Sequence, residues 1–283
     1  MCFAANSLLC RLALRPPGGE EPWVSAHQFA SMRLLSAFFS LVCWTYFLRR
    51  KEGSTQRVWS RNSVFQGAIY TIYLIPFTLS YQSLDATVGA FLLFGSAQLT
   101  IFSMQAAEIK KDWKHLMPSI CGAFLAFIGL LLLALRTSGP SAPEANLVYP
   151  AFLMIVSGVA WGTYTNLGKR SLYPVVGNRN GFFWAMLFVG GYLLIFSIAY
   201  RNEMSPEMTL SPKWKHGVLV AFLSGAICTG IGSVCLYLSI SKLGIIARGT
   251  AQTSIPLVTV IVCLLYTSPS PRDQRGSRMP SSA

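Results

Sequence analysis

Between Asp85 and Glu108 the chain runs for 22 residues without a charge. Apolar side chains fall on every face of a helix drawn through this stretch, and such a helix is long enough to cross a hydrocarbon core of roughly 30 Å. Its interior carries Gly89, Gly95, Ser96, Ala97 and Gln98. Small residues let a neighbouring helix approach closely. Two readings stay open: an ordinary packed membrane helix, or one lining a polar cavity with Gln98 facing it.

The rest of the chain repeats this pattern. Only 12% of the 283 residues are charged, 53% are hydrophobic, and the mean hydropathy is +0.48. A soluble domain carries about 25% charged residues, so too few charges remain here to cover a water-facing surface. The expected class is an all-α polytopic membrane protein. The net charge of +13 sits in short loops between apolar runs. That placement points to membrane orientation and anionic headgroups, and away from nucleic acid as a partner. The seven cysteines are odd in number and match no metal spacing; they read as small packing residues, not disulfides. Met1 to Leu14 lacks the basic leader of a cleavable signal peptide.

Nine apolar segments follow in order: 1–14, 27–48, 64–81, 86–107, 117–135, 147–167, 181–200, 217–240 and one starting near 243. The first is short for a full span, so it is either a half-length helix or begins upstream. Residues 137–146, with two prolines and a glycine, form a linker that divides the chain. Gly158 and Gly162 make a small-xxx-small contact motif, a weak signal alone.

The two halves repeat. Phe3-Ala-Ala-Asn-Ser-Leu-Leu-Cys-Arg11 lies over Trp161-Gly-Thr-Tyr-Thr-Asn-Leu-Gly-Lys169 at an offset of 158 residues. Ser83-Leu84-Asp85 falls near Lys242-Leu243-Gly244 at an offset of 159. Five segments per unit, an odd number, place the second unit upside down in the membrane, the inverted-repeat plan of many secondary transporters. The expected organisation is a first repeat over 1–136, the linker, an incomplete second repeat over 147–266 and a disordered tail over 267–283. Loop charges agree with that topology. Twelve Lys and Arg residues lie on one side against six on the other. The richer side is expected to be cytoplasmic, with the N-terminus inside, in a plasma or inner membrane.

With the repeat drawn, the residues resemble the EamA family of the drug/metabolite transporter superfamily. The likeness rests on Phe3 to Leu14, Met32-Arg33-Leu-Leu-Ser36, Leu84-Asp-Ala-x-x-Gly-Ala90, Glu108, Ala160-Trp161-Gly162-x-Tyr164 and Ser254-Ile-Pro256. It implies ten helices in two inverted five-helix repeats, nine of them present here, and gives Glu108 the place of the family's helix-4 terminal glutamate. After Val262 the chain reads CLLYTSPSPRDQRGSRMPSSA. This end resembles translated sequencing-adapter sequence, with a genuine disordered basic tail as the alternative, and cannot supply a tenth span. The expectation is that the chain as written folds or transports poorly for want of that helix.

No enzyme constellation is visible. His27, His115 and His216 are far apart, and HExxH, GxSxG, CxxC and P-loop patterns are all absent. The intramembrane ionisable residues draw attention because an unpaired charge in hydrocarbon is costly. Arg33 and Arg248 each stand about two turns inside a segment. Either they snorkel to headgroups or they meet an anionic substrate group such as a carboxylate. Tyr70, Gln98, Trp161, Tyr164 and Gln252 complete the candidate substrate-binding set, and Tyr73 is a further amphipathic group at the same depth. The expected function is a secondary transporter of small polar metabolites by alternating access, without catalytic residues, cofactor or metal, in contact with lipid, with monomer and homodimer both open. A non-transporting scaffold is the alternative reading. A membrane enzyme acting on lipid-linked substrates finds no convergent titratable set.

Overall fold

A computed structural model describes residues 2–16, 21–52, 60–108, 117, 121, 128, 148–169, 174–199 and 213–243. All regular structure there is helical: α1 (Cys2–Leu14), α2 (Ala26–Glu52), α3 (Arg61–Ser80), α4 (Ala86–Glu108), α5 (Val148–Lys169), α6 (Pro174–Ala199), α7 (Trp214–Leu223), a π-helical stretch (Ser224–Ile231) and α8 (Gly232–Leu243). The last three form one continuous run. Four helical stretches, Ala26–Phe47, Arg61–Ser80, Ala86–Ala106 and Trp214–Ser239, are long and apolar enough to cross a membrane. The chain is therefore an all-α, multi-pass membrane protein. Most of the fifth predicted segment, the linker, the ninth segment and the tail lie outside the described residues.

Local chemistry sets the helix ends. Ser60 adopts an extended conformation and its Oγ accepts from the Ser63 amide at 3.1 Å, capping α3. At the far end Tyr81 to Ser83 turn the chain, and Asp85 precedes α4. There Arg11 donates to the Asp85 carboxylate at 2.9 Å and Arg15 to the Ser83 carbonyl at 3.1 Å. Asp85 is 71% exposed, so this pair contributes at most about 1 kcal/mol; it marks where α1 ends and α4 begins. Helix α6 starts seven residues earlier than the apolar run predicts. Pro174 suits the first helical position, and the polar turn behind it is accommodated by protein: Asn178 and Asn180 are buried, and Arg179 bonds Thr45 Oγ1 at 3.3 Å.

Close glycine contacts hold the helices together. A Cβ at Gly158 would meet the Leu93 carbonyl and Ser96, and one at Gly162 would lie 2.7 Å from the Ala97 carbonyl oxygen. The small stretch of α4 and the small-xxx-small motif of α5 are thus two sides of one interface. Further along, Gln105 Nε2 donates to Asn166 Oδ1 at 3.0 Å, so α4 and α5 run parallel. Ser80 Oγ donates to the Pro150 carbonyl and Ser157 Oγ to the Tyr73 carbonyl, so α3 and α5 are antiparallel. Val24 meets Gly217, Arg33 meets Gly225 and Ser40 meets Gly230, so α2 runs parallel to the α7–α8 run. The His27–Tyr192 and Arg179–Thr45 bonds make α2 and α6 antiparallel.

One contact recurs. Gly67 of α3 packs on the Gly181 carbonyl, Trp184 and Ala185 of α6; Gly225 of the π stretch packs on the Arg33 carbonyl and Ser36 of α2. Gly67 and Gly225 are 158 residues apart. Arg33 and Gly181, like Ser36 and Trp184, are 148 apart, as are the first residues of α2 and α6. Followed from these contacts, α1, α2 and α3 run opposite to α5, α6 and the α7–α8 run respectively.

A side chain at Gly225 has to displace backbone. Gly225→Val should therefore lower stability by roughly 1–3 kcal/mol, the ordinary cost of overpacking. Gly190 has nothing within 4 Å of an added Cβ, and Gly190→Ala should leave the thermal midpoint of the detergent-purified protein unchanged or slightly raised. Equal midpoints for the two variants would contradict the packing described.

Candidate functional site

Arg33 sits about two turns into α2, and its side chain is 1% exposed. It does not snorkel; it points into the bundle. Nη2 donates to the Tyr73 hydroxyl at 2.8 Å and Nε to Thr229 Oγ1 at 3.1 Å. The guanidinium carbon lies 4.8 Å from the Phe77 ring centre and 5.6 Å from that of Tyr73. Hydroxyl acceptors and ring faces both favour a desolvated cation. Nη1 remains without a hydrogen-bond partner among the described residues. The ion pair among those residues is Arg11–Asp85, at the end of α1 and away from Arg33.

The polar contacts continue beyond Arg33. Thr229 Oγ1 also donates to the Ser224 carbonyl five residues earlier, at 3.1 Å, a reach that suits π winding. Ser224 Oγ donates to Asn6 Oδ1 at 2.6 Å, and Ser40 Oγ donates to the Ala226 carbonyl at 3.0 Å. A buried polar thread thus joins α1, the π stretch, α2 and α3 through Asn6, Ser224, Thr229, Arg33 and Tyr73.

Aromatic rings surround this thread. Tyr70, Tyr73, Phe77 and Tyr81 are spaced by three, four and four residues, which aligns them on one face of α3. The Tyr70 ring centre lies 5.3 Å from Tyr73, 5.2 Å from Tyr164 and 4.4 Å from Phe182. Trp161 is 4.9 Å from Tyr73 and 5.7 Å from Tyr164. Tyr237 of α8 stands 6.4 Å from Tyr164. The hydroxyl of Tyr70 is buried and closes no hydrogen bond of ordinary length among the described residues.

Of the predicted residues, Arg33, Tyr70, Trp161 and Tyr164 share this one cluster. Gln98 is buried and neither of its amide atoms has a partner among the described residues, but no contact ties it to Arg33. Arg248 and Gln252 lie outside the described residues, as does the side chain of Glu108. The sequence reading placed Tyr73 at cavity depth and did not single out Asn6, Phe77, Phe182, Thr229 or Tyr237. The α3 stripe was recoverable from its spacing. Thr229 was not, because its place depends on a π turn with no distinct sequence mark. No group of three or more metal-ligating side chains occurs among the described residues.

A bundle of membrane helices enclosing a buried cation and an aromatic shell has the character of a transport protein's interior. A model of the EamA-like transporter family matches residues 148–271. A Pseudomonas aeruginosa protein described as "Uncharacterized protein PA1977" is 31% identical over 261 residues, which cover 92% of this chain and 81% of that protein. The chain belongs to the EamA family of drug/metabolite transporters.

Thr229→Val removes the acceptor of Arg33 Nε and should cost about 1–3 kcal/mol, the usual penalty for an unsatisfied buried group. Thr229→Ser keeps the hydroxyl and should retain most of that stability. Thermal unfolding in detergent distinguishes the two, and indistinguishable Val and Ser variants would contradict the bond.

Proposed function

We propose that this protein is a permease for small polar metabolites that works by alternating access between two inverted units, residues 1–136 and 147–266. The observation that carries the reading is the paired contact of Gly67 on α6 and Gly225 on α2, in helices that run in opposite directions. Two units related in this way supply two equivalent ways to open, one to each side, around a site at their junction. Arg33 and its aromatic shell lie at that junction. Arg33 is sealed from solvent in this conformation, as an occluded intermediate requires. The loop charges support an N-terminus in the cytoplasm. Arg248 and Gln252, on the segment after α8, belong to the same binding set in this reading.

Two measurements test it. Purified protein in proteoliposomes should give saturable flux of at least one metabolite from a broad polar panel. Ser157, buried at the α3–α5 contact, supplies the second. In a background cleared of the seven cysteines, Ser157→Cys should react with an impermeant maleimide from both sides, with substrate shifting the ratio. Labelling from neither side, together with no flux, favours the scaffold reading.

A further inference from the structure

The ten acidic residues of this chain are Glu20, Glu21, Glu52, Asp85, Glu108, Asp112, Glu144, Glu203, Glu207 and Asp273. Every one stands at an end of an apolar run, between two runs or in the tail; none is inside. The basic residues well inside the runs are Arg33 and Arg248, Arg11 standing near the end of the first. Among the described residues the interior of the bundle therefore holds the Arg33 cation with no carboxylate beside it. Arg33 shows this directly: it is buried, its two observed hydrogen bonds go to neutral hydroxyls, and Nη1 is unpartnered among the described residues.

From this we infer that the Arg33 site takes a small monocarboxylate with a flat or apolar body. The carboxylate would bind the Nη1 edge of the guanidinium and the Tyr70 hydroxyl. The body would lie against the rings of Trp161, Tyr164 and Phe182. The inference rests on the transporter reading and adds the charge and shape of the substrate.

Charge balance selects this class over its neighbours. A cation would face Arg33 with no acidic group to hold it. A zwitterion would satisfy Arg33 through its carboxylate, but its ammonium, held by ring faces without a carboxylate, would leave the filled site with a net positive charge. A dianion would bring a second charge into a low-dielectric site. A monoanion leaves no net charge on the pair. The remainder of the lining is aromatic carbon, which favours planar or apolar surface over hydroxyl-rich surface.

The test uses the full chain in detergent and five probes: 3-phenylpropionate, phenylalanine, phenethylamine, succinate and butyrate. Thermal stabilisation reads binding; counterflow in proteoliposomes reads transport. Phenylpropionate should bind tightest, with butyrate weaker by roughly tenfold or more for lack of a ring. Arg33→Gln should abolish phenylpropionate binding and Arg33→Lys should weaken it, since an ammonium cannot offer the planar fork. Should Arg33→Gln not fold, Tyr70→Phe, which keeps the ring and removes only the hydroxyl, should still weaken phenylpropionate several-fold. Tighter binding of phenylalanine, phenethylamine or succinate overturns the inference, and so does binding of none of the five. If phenylpropionate binds in an Arg33-dependent way but no probe crosses the membrane, the site assignment stands and the transport reading fails. If a polar metabolite is carried while phenylpropionate neither binds nor competes, the transport reading stands and this inference fails.

Discussion

A guanidinium buried among membrane helices must be solvated by protein, because neither lipid nor bulk water reaches it. Two hydroxyls and two ring faces do this for Arg33 of α2, and they come from α3 and the π stretch. The arrangement recruits its own support. Thr229 can accept from Arg33 because its proton goes to the Ser224 carbonyl, and Ser224 in turn is held by Asn6. Local π winding supplies that reach, consistent with the tendency of such turns to occur where a helix carries function. Tyr73 similarly fixes the register of α3, and its carbonyl receives Ser157 from α5.

This network demands backbone proximity, and the small residues provide it. Gly225 lets the π stretch sit on the Arg33 carbonyl; Gly67 lets α3 sit on α6. In water such contacts would be a minor part of a hydrophobic core. In a bilayer, lipid tails are as apolar as leucine, so close packing and interhelical hydrogen bonds carry the association. Gly225, among the most constrained, lies at the junction that brings Arg33 and Thr229 together, Gly158 is as constrained at the α4–α5 contact, and Gly190 and Gly191 meet nothing. The polar heart of the bundle thus coincides with one of its tightest contacts.

How far this was legible in the sequence varied with the range of the interaction. The helices of α1 to α5 were read nearly to their ends, since length and charge-free runs are local properties. The start of α6 was missed because Asn178, Arg179 and Asn180 look like a loop. They are helical only because α2 offers Thr45 and the bundle covers the two asparagines. The small-xxx-small motif of α5 was visible, but its partner on α4 emerged only from the packing. Of the candidate site, Arg33, Tyr70, Trp161 and Tyr164 were singled out as polar or amphipathic groups at membrane depth, and the structure gathers them.

By itself the sequence determined the class of solvent this chain folds in, the length of its spans and the sign of the charge inside them. Charges are counted residue by residue, and every carboxylate of this sequence falls outside the apolar runs while Arg33 falls inside one. Tertiary structure alone decided whether Arg33 reaches a headgroup or the interior. Both outcomes lie within reach of a flexible side chain two turns from a helix end, and the choice falls to Tyr73 and Thr229, which stand 40 and 196 residues away. The face of each helix that turns inward was likewise set by which backbone a glycine allows to approach, a property of pairs of helices that no single segment contains.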